Sequence, residues 1–509
     1  NCISVEPIET ELGRKRRINQ SSCNKDFTCV DGFCPSFVTI TGAEPRKLKA
    51  DIVLADAATL PVPTPAVLTS AYNVLISGIG GLGVTTLAAI LAMAAHIEDR
   101  AVRTLNRTGL AQKGGAVASH VRIARQTGEM PTAAVPVGET NLHLAYDMIV
   151  GASPNVLTRS SSARTVTLLN SHLNPTSAFV RNTAKTYDTP ALQDVLRRAS
   201  RTLETLDARA LAETFLGNEL YANMIMLGYA LQKGWLPVSL DALTKAIVLN
   251  GATKKQNLKA LALGRVTAAS PEKVSAYAES LKKALSPKPV ETLDEMITAR
   301  VQYLTAYQSK TYAQEYQMLV ARMRATGHAK LAEAVARGAF AAMMIKDEYE
   351  VARLLTDRSF TDQINTVFEG DMTVSYHLAP VFLARKNKAT GEPRKMTFGP
   401  WLKPVLKFVA ALKPLRETPL DVLSLDPLRR AERHFRDEYL AAMAEIAARV
   451  TPANLATAME IAGLPLEARG YGHIKERALE TVKTRFAELM QTFRTAPSTA
   501  SPTLIRRAG

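Results

Sequence analysis

The sequence predicts an α/β fold, followed along the chain by a mainly α-helical domain. Three observations support this prediction. Apolar runs that end in glycines alternate with helical stretches between residues 71 and 250. Beyond that region most apolar residues recur with helical spacing. All four cysteines lie within the first 34 residues, which sets a short N-terminal segment apart.

The α/β part begins at Tyr72, where YNVLISGIG reads as a strand that ends in glycines. The next stretch, to Asp99, is rich in strong helix formers and predicts a buried helix. Further strands are predicted in AVRTL, in AVASHVRIA, at residues 146–151 and at residues 164–170. Because strands alternate with helices, we expect a Rossmann-like domain with a mostly parallel sheet.

From about residue 189 onwards the pattern is largely helical. Helices are predicted at 291–325, 329–353, 430–450 and 474–493, and VSYHLAPVFLAR favours a strand pair between them. We therefore predict five parts: a cysteine-bearing segment at 1–45, a proline-rich linker at 46–70, the α/β domain at 71–250, a helical domain at 251–490 and a disordered tail at 491–509.

Composition limits the classes of function. The 509 residues are 47% apolar, and no apolar run approaches the length that spans a bilayer, so no membrane segment is expected. The net charge is +16, but the basic residues lack aromatic interleaving and a nucleic-acid-binding signature, so no nucleic-acid partner is predicted. Few cysteines and no secretory signal favour a cytoplasmic protein. The basic run at 14–17 would suit an acidic electron carrier.

The cysteines give the first functional hypothesis. Cys23, Cys29 and Cys34 follow the spacing Cys-x5-Cys-x4-Cys-Pro, and Cys2 precedes them. Four thiolates suit one metal centre, and a Cys-Pro end is typical of ferredoxin-like iron–sulfur ligation. These four residues are the predicted ligands of a [4Fe–4S] cluster. Two structural disulfides and a zinc knuckle are the alternatives, although zinc ligand pairs are usually spaced more closely.

Two glycine-rich loops give the second hypothesis. The first, GIGGLG, contains Gly78, Gly80, Gly81 and Gly83 between a strand and a helix, where a phosphate group or a closely packed neighbour fits. An NAD site would want an acidic residue about 20 residues further on, and the chain has Leu105-Asn106-Arg107 there. The second loop contains Lys113, Gly114 and Gly115. His120, on the strand that follows, is expected to be structural.

The segments GIGGLGVTT and TGLAQKGGAVASHVRIA resemble the gamma-type domain of the 2-oxoacid:ferredoxin oxidoreductases, in particular the long, fused indolepyruvate ferredoxin oxidoreductase family. The upstream segment GRKRRINQSSCNKDFTCVDGFCPSF is similar to the iron–sulfur segment of that family. LNSHLNPTSAFV, KDEYEVARLLTD and RGYGHIKE extend the resemblance to about residue 490.

The resemblance implies oxidative decarboxylation of an aryl 2-oxoacid to an acyl-coenzyme A, with electrons leaving through [4Fe–4S] clusters to ferredoxin. It also implies that this chain is the C-terminal portion of the enzyme, truncated at its start, and that thiamine diphosphate binds in upstream domains of the same polypeptide. The fragment alone is expected to be inactive, and a homodimer is expected. By analogy with two-cluster ferredoxins, Cys34 would serve a second cluster and Cys2 would join Cys23 and Cys29.

The resemblance also gives the glycine loops a role. The four glycines of GIGGLG and the loop Lys113-Gly114-Gly115 would line the coenzyme A path or pack against the thiamine-binding domain, and packing is slightly favoured. Two alternatives remain open from the sequence. One is an NADP-binding dehydrogenase with a metal knuckle, and the other is a non-enzymatic, metal-stabilised interaction module.

Overall fold

The computed structural model describes most of the chain, in two compact units. The described residues are 4–10, 13–23, 25–31, 35, 37–45, 56–109, 114–174, 187–283, 292–379, 394–421 and 426–495. The first unit comprises Asn1–Ile8, Lys15–Lys25 and Pro45–Ser286, and the second comprises Glu9–Arg14, Asp26–Glu44 and Pro287–Gly509.

The strands and helices are numbered here in chain order. The strands are β1 (Val5–Thr10), β2 (Gly13–Ile18), β3 (Val38–Thr41), β4 (Glu44–Pro45), β5 (Tyr72–Ile79), β6 (Ala101–Thr108), β7 (Ala116–Ala124), β8 (Leu142–Ala145), β9 (Val166–Asn170), β10 (Thr202–Leu206), β11 (Phe368–Glu369), β12 (Thr373–Leu378) and β13 (Met396–Phe398). The helices of the first unit are α1 (Val84–Ile97), α2 (Met148–Gly151), α3 (Pro154–Leu157), α4 (Thr189–Arg198), α5 (Ala208–Leu216), α6 (Ala222–Gln232), α7 (Leu240–Asn250), α8 (Lys254–Ala269) and α9 (Pro271–Lys283). Those of the second unit are α10 (Leu293–Tyr307), α11 (Lys310–Arg324), α12 (Ala329–Met343), α13 (Glu348–Thr356), α14 (Arg358–Val367), α15 (Leu402–Ala411), α16 (Pro427–Arg449), α17 (Leu455–Gly463) and α18 (Gly472–Thr495).

A six-stranded sheet of order β10-β9-β8-β5-β7-β6 forms the centre of the first unit. The pairs β10–β9, β9–β8 and β8–β5 are parallel, whereas β7 runs antiparallel to both β5 and β6. Strands β8 and β9 are buried along their whole length, as expected for parallel strands covered on both faces. The prediction of an α/β fold with a mostly parallel sheet is therefore confirmed.

Helix α1 shows how the sequence produces this packing. Its N-cap is Gly83, and its buried residues include Leu87, Leu91 and Ala95, which recur at helical spacing on one face. That face packs on β5, β6 and β7. Helices α6 and α8 pack closely against each other in the same hydrophobic core, so the core of the first unit continues past residue 250.

Three details of the predicted sheet differ. The predicted strand at 146–151 is wrong, because the strand is β8 and residues 148–151 form helix α2, whose N-cap Asp147 accepts a hydrogen bond from Val150 N at 2.8 Å. Strand β10 was not predicted, because its exposed and half-buried residues give no clear apolar run. The strand after α1 is not adjacent to β5, since β7 lies between them, so the Rossmann-like strand order is not kept.

The second unit is mainly helical, as predicted. The predicted helices at 291–325 and 329–353 are each two helices, and those at 430–450 and 474–493 correspond to α16 and α18, which continues to Thr495. The first half of VSYHLAPVFLAR is β12, which pairs antiparallel with β3 and β13, while residues 380–385 lie outside the described part of the chain. No helix in the described ranges combines the length and apolarity that crossing a membrane requires.

Candidate functional site

The carboxyl ends of four parallel strands meet at one edge of the sheet in the first unit. Strands β5, β8, β9 and β10 end there, and each is followed by a turn or loop. In open α/β sheets this edge is where ligands and partner surfaces are usually bound. The loop after β5 contains Gly80, Gly81 and Gly83, so the predicted glycine residues lie at this edge.

The structure brings the two glycine loops together. Gly80 N–H donates to the carbonyl oxygen of Gly115 at 2.7 Å, and Gly114 N–H donates to the carbonyl oxygen of Gly80 at 3.2 Å. Gly81 and Gly114 are exposed. Lys113, the charged member of the predicted site, lies outside the described residues. The two motifs recognised separately in the sequence therefore form one surface feature.

The inner side of the first loop is tightly packed. Gly83 has φ +76°, and a Cβ there would lie 2.7 Å from Nδ2 of Asn223. At Gly78 a Cβ would lie 2.9 Å from Cγ2 of Val84. Asn223 Nδ2 also donates to the carbonyl oxygen of Leu82 at 3.2 Å. At these two positions glycine is required by backbone conformation and close approach, which accounts for part of the motif without a ligand.

A small pocket lies beneath the loop. Its lining residues are Leu82, Tyr146, Asn170, Asn174, Arg209, Glu219, Ala222 and Asn223. Tyr146 OH donates to the carbonyl oxygen of Asn223 at 3.0 Å, and Asn170 Nδ2 donates to the carbonyl oxygen of Tyr146 at 3.2 Å. Sequence reasoning gave none of these residues a role in a site, although Asn170 and Asn174 belong to the recognised segment LNSHLNPTSAFV. Tyr146 and Asn174 follow strands, whereas Arg209 lies on α5 and Asn223 on α6, so the lining residues form no local motif.

Arg209 and Glu219 line this pocket, and Asp147 is connected to it through the hydrogen bond from Asn174. Burial raises the pKa of Asp147, although hydrogen bonds from Val150 N–H, Asn174 and Ile149 N–H oppose this rise. The side chain of Arg209 is only 5% exposed, and Glu219 Oε2 lies 2.7 Å from its Nε. Burial alone would lower the pKa of Arg209, but the surrounding carboxylates outweigh it and raise the pKa. Arg209 is therefore a permanently charged group inside the unit.

The predicted metal ligands are described in part. Cys23 and Cys29 are half-buried and form no disulfide bond, whereas Cys2 and Cys34 lie outside the described residues. Lys25 N–H donates to Cys23 Sγ at 3.3 Å, a contact of the kind that tunes cluster ligands. Over the part of the chain that the structure describes, no group of three or more His, Cys, Asp or Glu side chains is arranged to hold a metal ion.

His120 and Arg122, which both lie on strand β7, are structural. His120 Nδ1 accepts a hydrogen bond from Val135 N–H at 3.0 Å, inside the core. Arg122 Nε donates to Asn73 Oδ1 at 2.8 Å and is also buried. Arg107 is exposed on the outer strand β6, which β7 separates from β5. It therefore does not lie beside the glycine loop in the way an NADP site would require.

Two parts of the chain match known protein families. Residues 73–266 match the family "Pyruvate ferredoxin/flavodoxin oxidoreductase", and residues 293–488 match a family of unknown function, DUF6537. The indolepyruvate oxidoreductase subunit IorB of Methanothermobacter thermautotrophicus is 26% identical over 178 residues, which are 35% of this chain and 86% of that protein. The subunit IorB of Archaeoglobus fulgidus is 26% identical over 194 residues, 38% of this chain and 92% of that protein.

Two solved structures are also similar. The pyruvate oxidoreductase subunit PORC of Thermotoga maritima is 20% identical, covers 39% of this chain and 96% of its own, and gives a TM-score of 0.28. The 2-oxoglutarate:ferredoxin oxidoreductase of Magnetococcus marinus is 12% identical. It covers 47% of this chain and 38% of its own, and it also gives a TM-score of 0.28.

The first unit therefore contains a domain of the 2-oxoacid:ferredoxin oxidoreductase class, and its glycine loops lie within the matched residues. Residues 73–266 match this oxidoreductase family, and the curated relatives are indolepyruvate oxidoreductase subunits, so the resemblance found in the sequence is confirmed for this part of the chain.

Proposed function

We propose that the chain is the part of an indolepyruvate-type ferredoxin oxidoreductase that relays electrons and supports the active site. The overall reaction would be oxidative decarboxylation of an aryl 2-oxoacid to an acyl-coenzyme A. The observation that carries the proposal is the pairing of the two glycine loops at the carboxyl edge of the sheet, within the residues matched to the oxidoreductase family. The names of the curated relatives support the aryl substrate.

The glycine loops would act as a contact surface. The N–H of Gly80 already donates to the second loop, so it is not available to a phosphate group. The exposed backbone at Gly81 and Gly114 leaves room for close approach from outside. This arrangement favours packing against a thiamine-binding domain, with the pantetheine arm of coenzyme A as the second occupant of the same surface. Thiamine diphosphate would bind in that other domain and supply the carbanion chemistry.

The cysteine-bearing segment would supply the electron path. Cys2, Cys23 and Cys29 are the proposed ligands of one [4Fe–4S] cluster, and Cys34 is assigned to a second cluster by analogy with two-cluster ferredoxins. The backbone N–H of Lys25 would stabilise negative charge on the Cys23 sulfur. The electrons would pass to ferredoxin or a similar acidic carrier, for which the basic run at 14–17 is the proposed docking point. A homodimer in the cytoplasm is also proposed.

The test is reconstitution under anaerobic conditions. The chain is purified, combined with thiamine-binding domains of an indolepyruvate oxidoreductase, and assayed for coenzyme A-dependent reduction of ferredoxin by indolepyruvate. We expect a brown protein whose visible absorption bleaches with dithionite, and turnover only when both parts are present. Cys29→Ser should abolish the colour and the ferredoxin reduction, whereas Gln20→Ala, an exposed change in the same segment, should preserve both.

A colourless protein that holds one zinc ion would contradict the electron-transfer role. Turnover by the chain alone would contradict the division of labour between this chain and the thiamine-binding domains. Activity with pyruvate but not with indolepyruvate would overturn the aryl substrate while leaving the reaction class intact.

A further inference from the structure

Arg209, on helix α5 at the carboxyl edge of the sheet, is the centre of a buried ionic network. Its Nε lies 2.7 Å from Glu219 Oε2 and donates to Glu213 Oε1 at 3.2 Å. Its Nη2 donates to Glu6, which comes from strand β1 in the cysteine-bearing segment. Glu6 and Arg209 are 203 positions apart in the chain. The side chains of Arg209, Glu6 and Glu219 are each less than a tenth exposed, so these bonds are shielded from water.

The same guanidinium is fixed from the sheet side. Its Nη1 donates to His172 Nε2 at 2.7 Å and to Asn174 Oδ1 at 3.3 Å, and both residues follow strand β9. Asn174 Nδ2 in turn donates to Asp147 Oδ2 at 3.0 Å, after strand β8. The planar fork of an arginine can make these directional bonds at once, which a lysine cannot. Arg209 therefore links the loops at the carboxyl edge to the N-terminal segment.

Asn19 makes a second connection between the same two regions. Its Nδ2 donates to Glu6 Oε1 at 3.2 Å and to Glu213 Oε1 at 2.7 Å. Its Oδ1 accepts hydrogen bonds from Ser21 N–H at 2.8 Å and Ser22 N–H at 3.0 Å. Asn19 is itself buried, so its amide group both holds the carboxylates and shapes the turn that follows it.

That turn leads directly to Cys23. The backbone N–H of Cys23 donates to the carbonyl oxygen of Asn19 at 3.1 Å, which closes the turn. The path from the sheet edge to the thiol thus runs through Arg209, Glu6 and Asn19, and each link is a hydrogen bond or an ion pair of described residues. Of these three residues, Asn19 lies in the recognised segment GRKRRINQSSCNKDFTCVDGFCPSF, but none of the three was assigned a role from the sequence.

We propose that Arg209 is a positioning residue: through Glu6 and Asn19 it holds the Cys23 turn, and any cluster ligated by Cys23, in a fixed place against the carboxyl edge of the sheet. This inference rests on the proposed function in so far as the group being positioned is the cluster. A fixed placement matters for electron relay, because the cluster must lie at a constant distance from the site where the electrons originate.

The network also predicts a pattern of charge effects. Glu6, Glu213 and Glu219 each form an ion pair with Arg209, and the exposed Arg17 lies 3.4 Å from Glu6. Reduction adds negative charge to a cluster. Glu6→Gln, which removes a negative charge, should therefore raise the reduction potential, and Arg209→Gln should lower it. A purely structural loss of order would not produce shifts of opposite sign.

The experiment uses the full chain in two arms. In the first arm, the alkylation rate of Cys23 is measured by mass spectrometry on metal-free protein. Arg209→Gln, Glu6→Gln and Asn19→Ala should each raise this rate about tenfold, the factor expected when one strong buried hydrogen bond is lost. Arg197→Gln is the control, because Arg197 is exposed and forms an ion pair with Asp194 at the surface. In the second arm, the potential of the cluster is measured by redox titration.

The outcomes separate the inference from the proposed function. Unchanged alkylation of Cys23 in folded Asn19→Ala and Glu6→Gln proteins, or potential shifts of the same sign in both charge variants, would overturn the positioning role even if a cluster is present. Absence of any cluster would overturn the proposed electron relay, and the alkylation arm would still decide whether Arg209 positions Cys23. Asn19→Ala leaves the ion pairs between Arg209 and its three carboxylates in place. The test can therefore still be made with this variant if an Arg209 variant does not fold.

Discussion

At the scale of single residues, the most unusual side chains in the core of the first unit are two neutral histidines. His143 on β8 is completely buried, and its Nε2 lies 2.8 Å from Ser77 Oγ. Burial lowers the pKa of His143 to about 4. The pKa of His120 is also lowered to about 4, first by burial and then by Arg107 and Arg159. Protonation of His120 Nδ1 would in addition break its hydrogen bond with Val135 N–H.

These histidines predict a loss of stability in mild acid. Between about pH 6.5 and about pH 4 the unfolded chain binds protons at both positions and the folded chain does not, so the free energy of unfolding falls as the pH falls through that window. For His143 alone we expect a loss of about 2 kcal/mol between about pH 7.5 and about pH 5. His143→Gln should remove this part of the pH dependence, as measured by urea unfolding at both pH values.

The matched control is His96→Gln, because His96 is exposed on helix α1 of the same unit. It should leave the pH dependence of the unfolding free energy unchanged. If His143→Gln and the wild-type protein lose the same stability between the two pH values, His143 is protonated in the folded protein or is accessible to water.

At the scale of secondary-structure elements, helices α6 and α8 pack more closely than ordinary side chains allow. A Cβ at Gly228 would overlap the carbonyl oxygen of Leu261, and a Cβ at Gly264 would overlap that of Ile225. The two glycines thus permit reciprocal backbone contact between the helices, and nothing in the helical periodicity of the sequence requires it. The sequence predicted a largely helical stretch from about residue 189, but it predicted neither the bounds of α8 nor the distance between the two helices.

We predict that Gly228→Ala destabilises the first unit by about 3 kcal/mol, because the backbones of α6 and α8 must separate to admit the methyl group. Chemical denaturation followed by circular dichroism measures this change. Gly463→Ala, at the end of helix α17, is the control: no atom lies within 4 Å of the added Cβ, so the change should be neutral or stabilising by up to about 1 kcal/mol. Equal effects of the two substitutions would show that the helix contact is not tight.

The elements that the sequence predicted best are those with a local signal. Strand β5, helix α1 and strand β7 follow from apolar runs bounded by glycines, and β7 was predicted with the bounds that the structure shows. The insertion of β7 between β5 and β6 was not predictable, because strand direction leaves no mark in a local apolar pattern. Two further contacts could not be predicted because they join residues that are far apart in the chain. They are the pairing of Gly80 with Gly114 and Gly115 and the bond between Glu6 and Arg209.

At the scale of the whole molecule, the two family matches fall on different units. Residues 73–266 lie in the first unit and residues 293–488 in the second. The first unit has a large hydrophobic core of its own, built on the sheet and on helices such as α1, α6 and α8. The second has a separate core that includes the buried tyrosines Tyr307, Tyr316 and Tyr439. Each unit therefore has the apolar interior that cooperative unfolding requires.

The separate cores predict that the units unfold in two distinguishable thermal transitions. A substitution that strains one core should then lower one transition and leave the other in place. Gly228→Ala strains the first core, and Gly338→Ala is its counterpart in the second, since a Cβ there would overlap the carbonyl oxygen of Ala462 and the hydroxyl of Tyr439. Differential scanning calorimetry of the wild type and both variants measures the two transition temperatures directly.

We expect each variant to lower a different transition by several degrees, the shift that about 2–3 kcal/mol produces in domains of this size. A single transition that both variants lower equally would mean that the two units unfold as one cooperative body, and the separate cores would then not mark separate folding units.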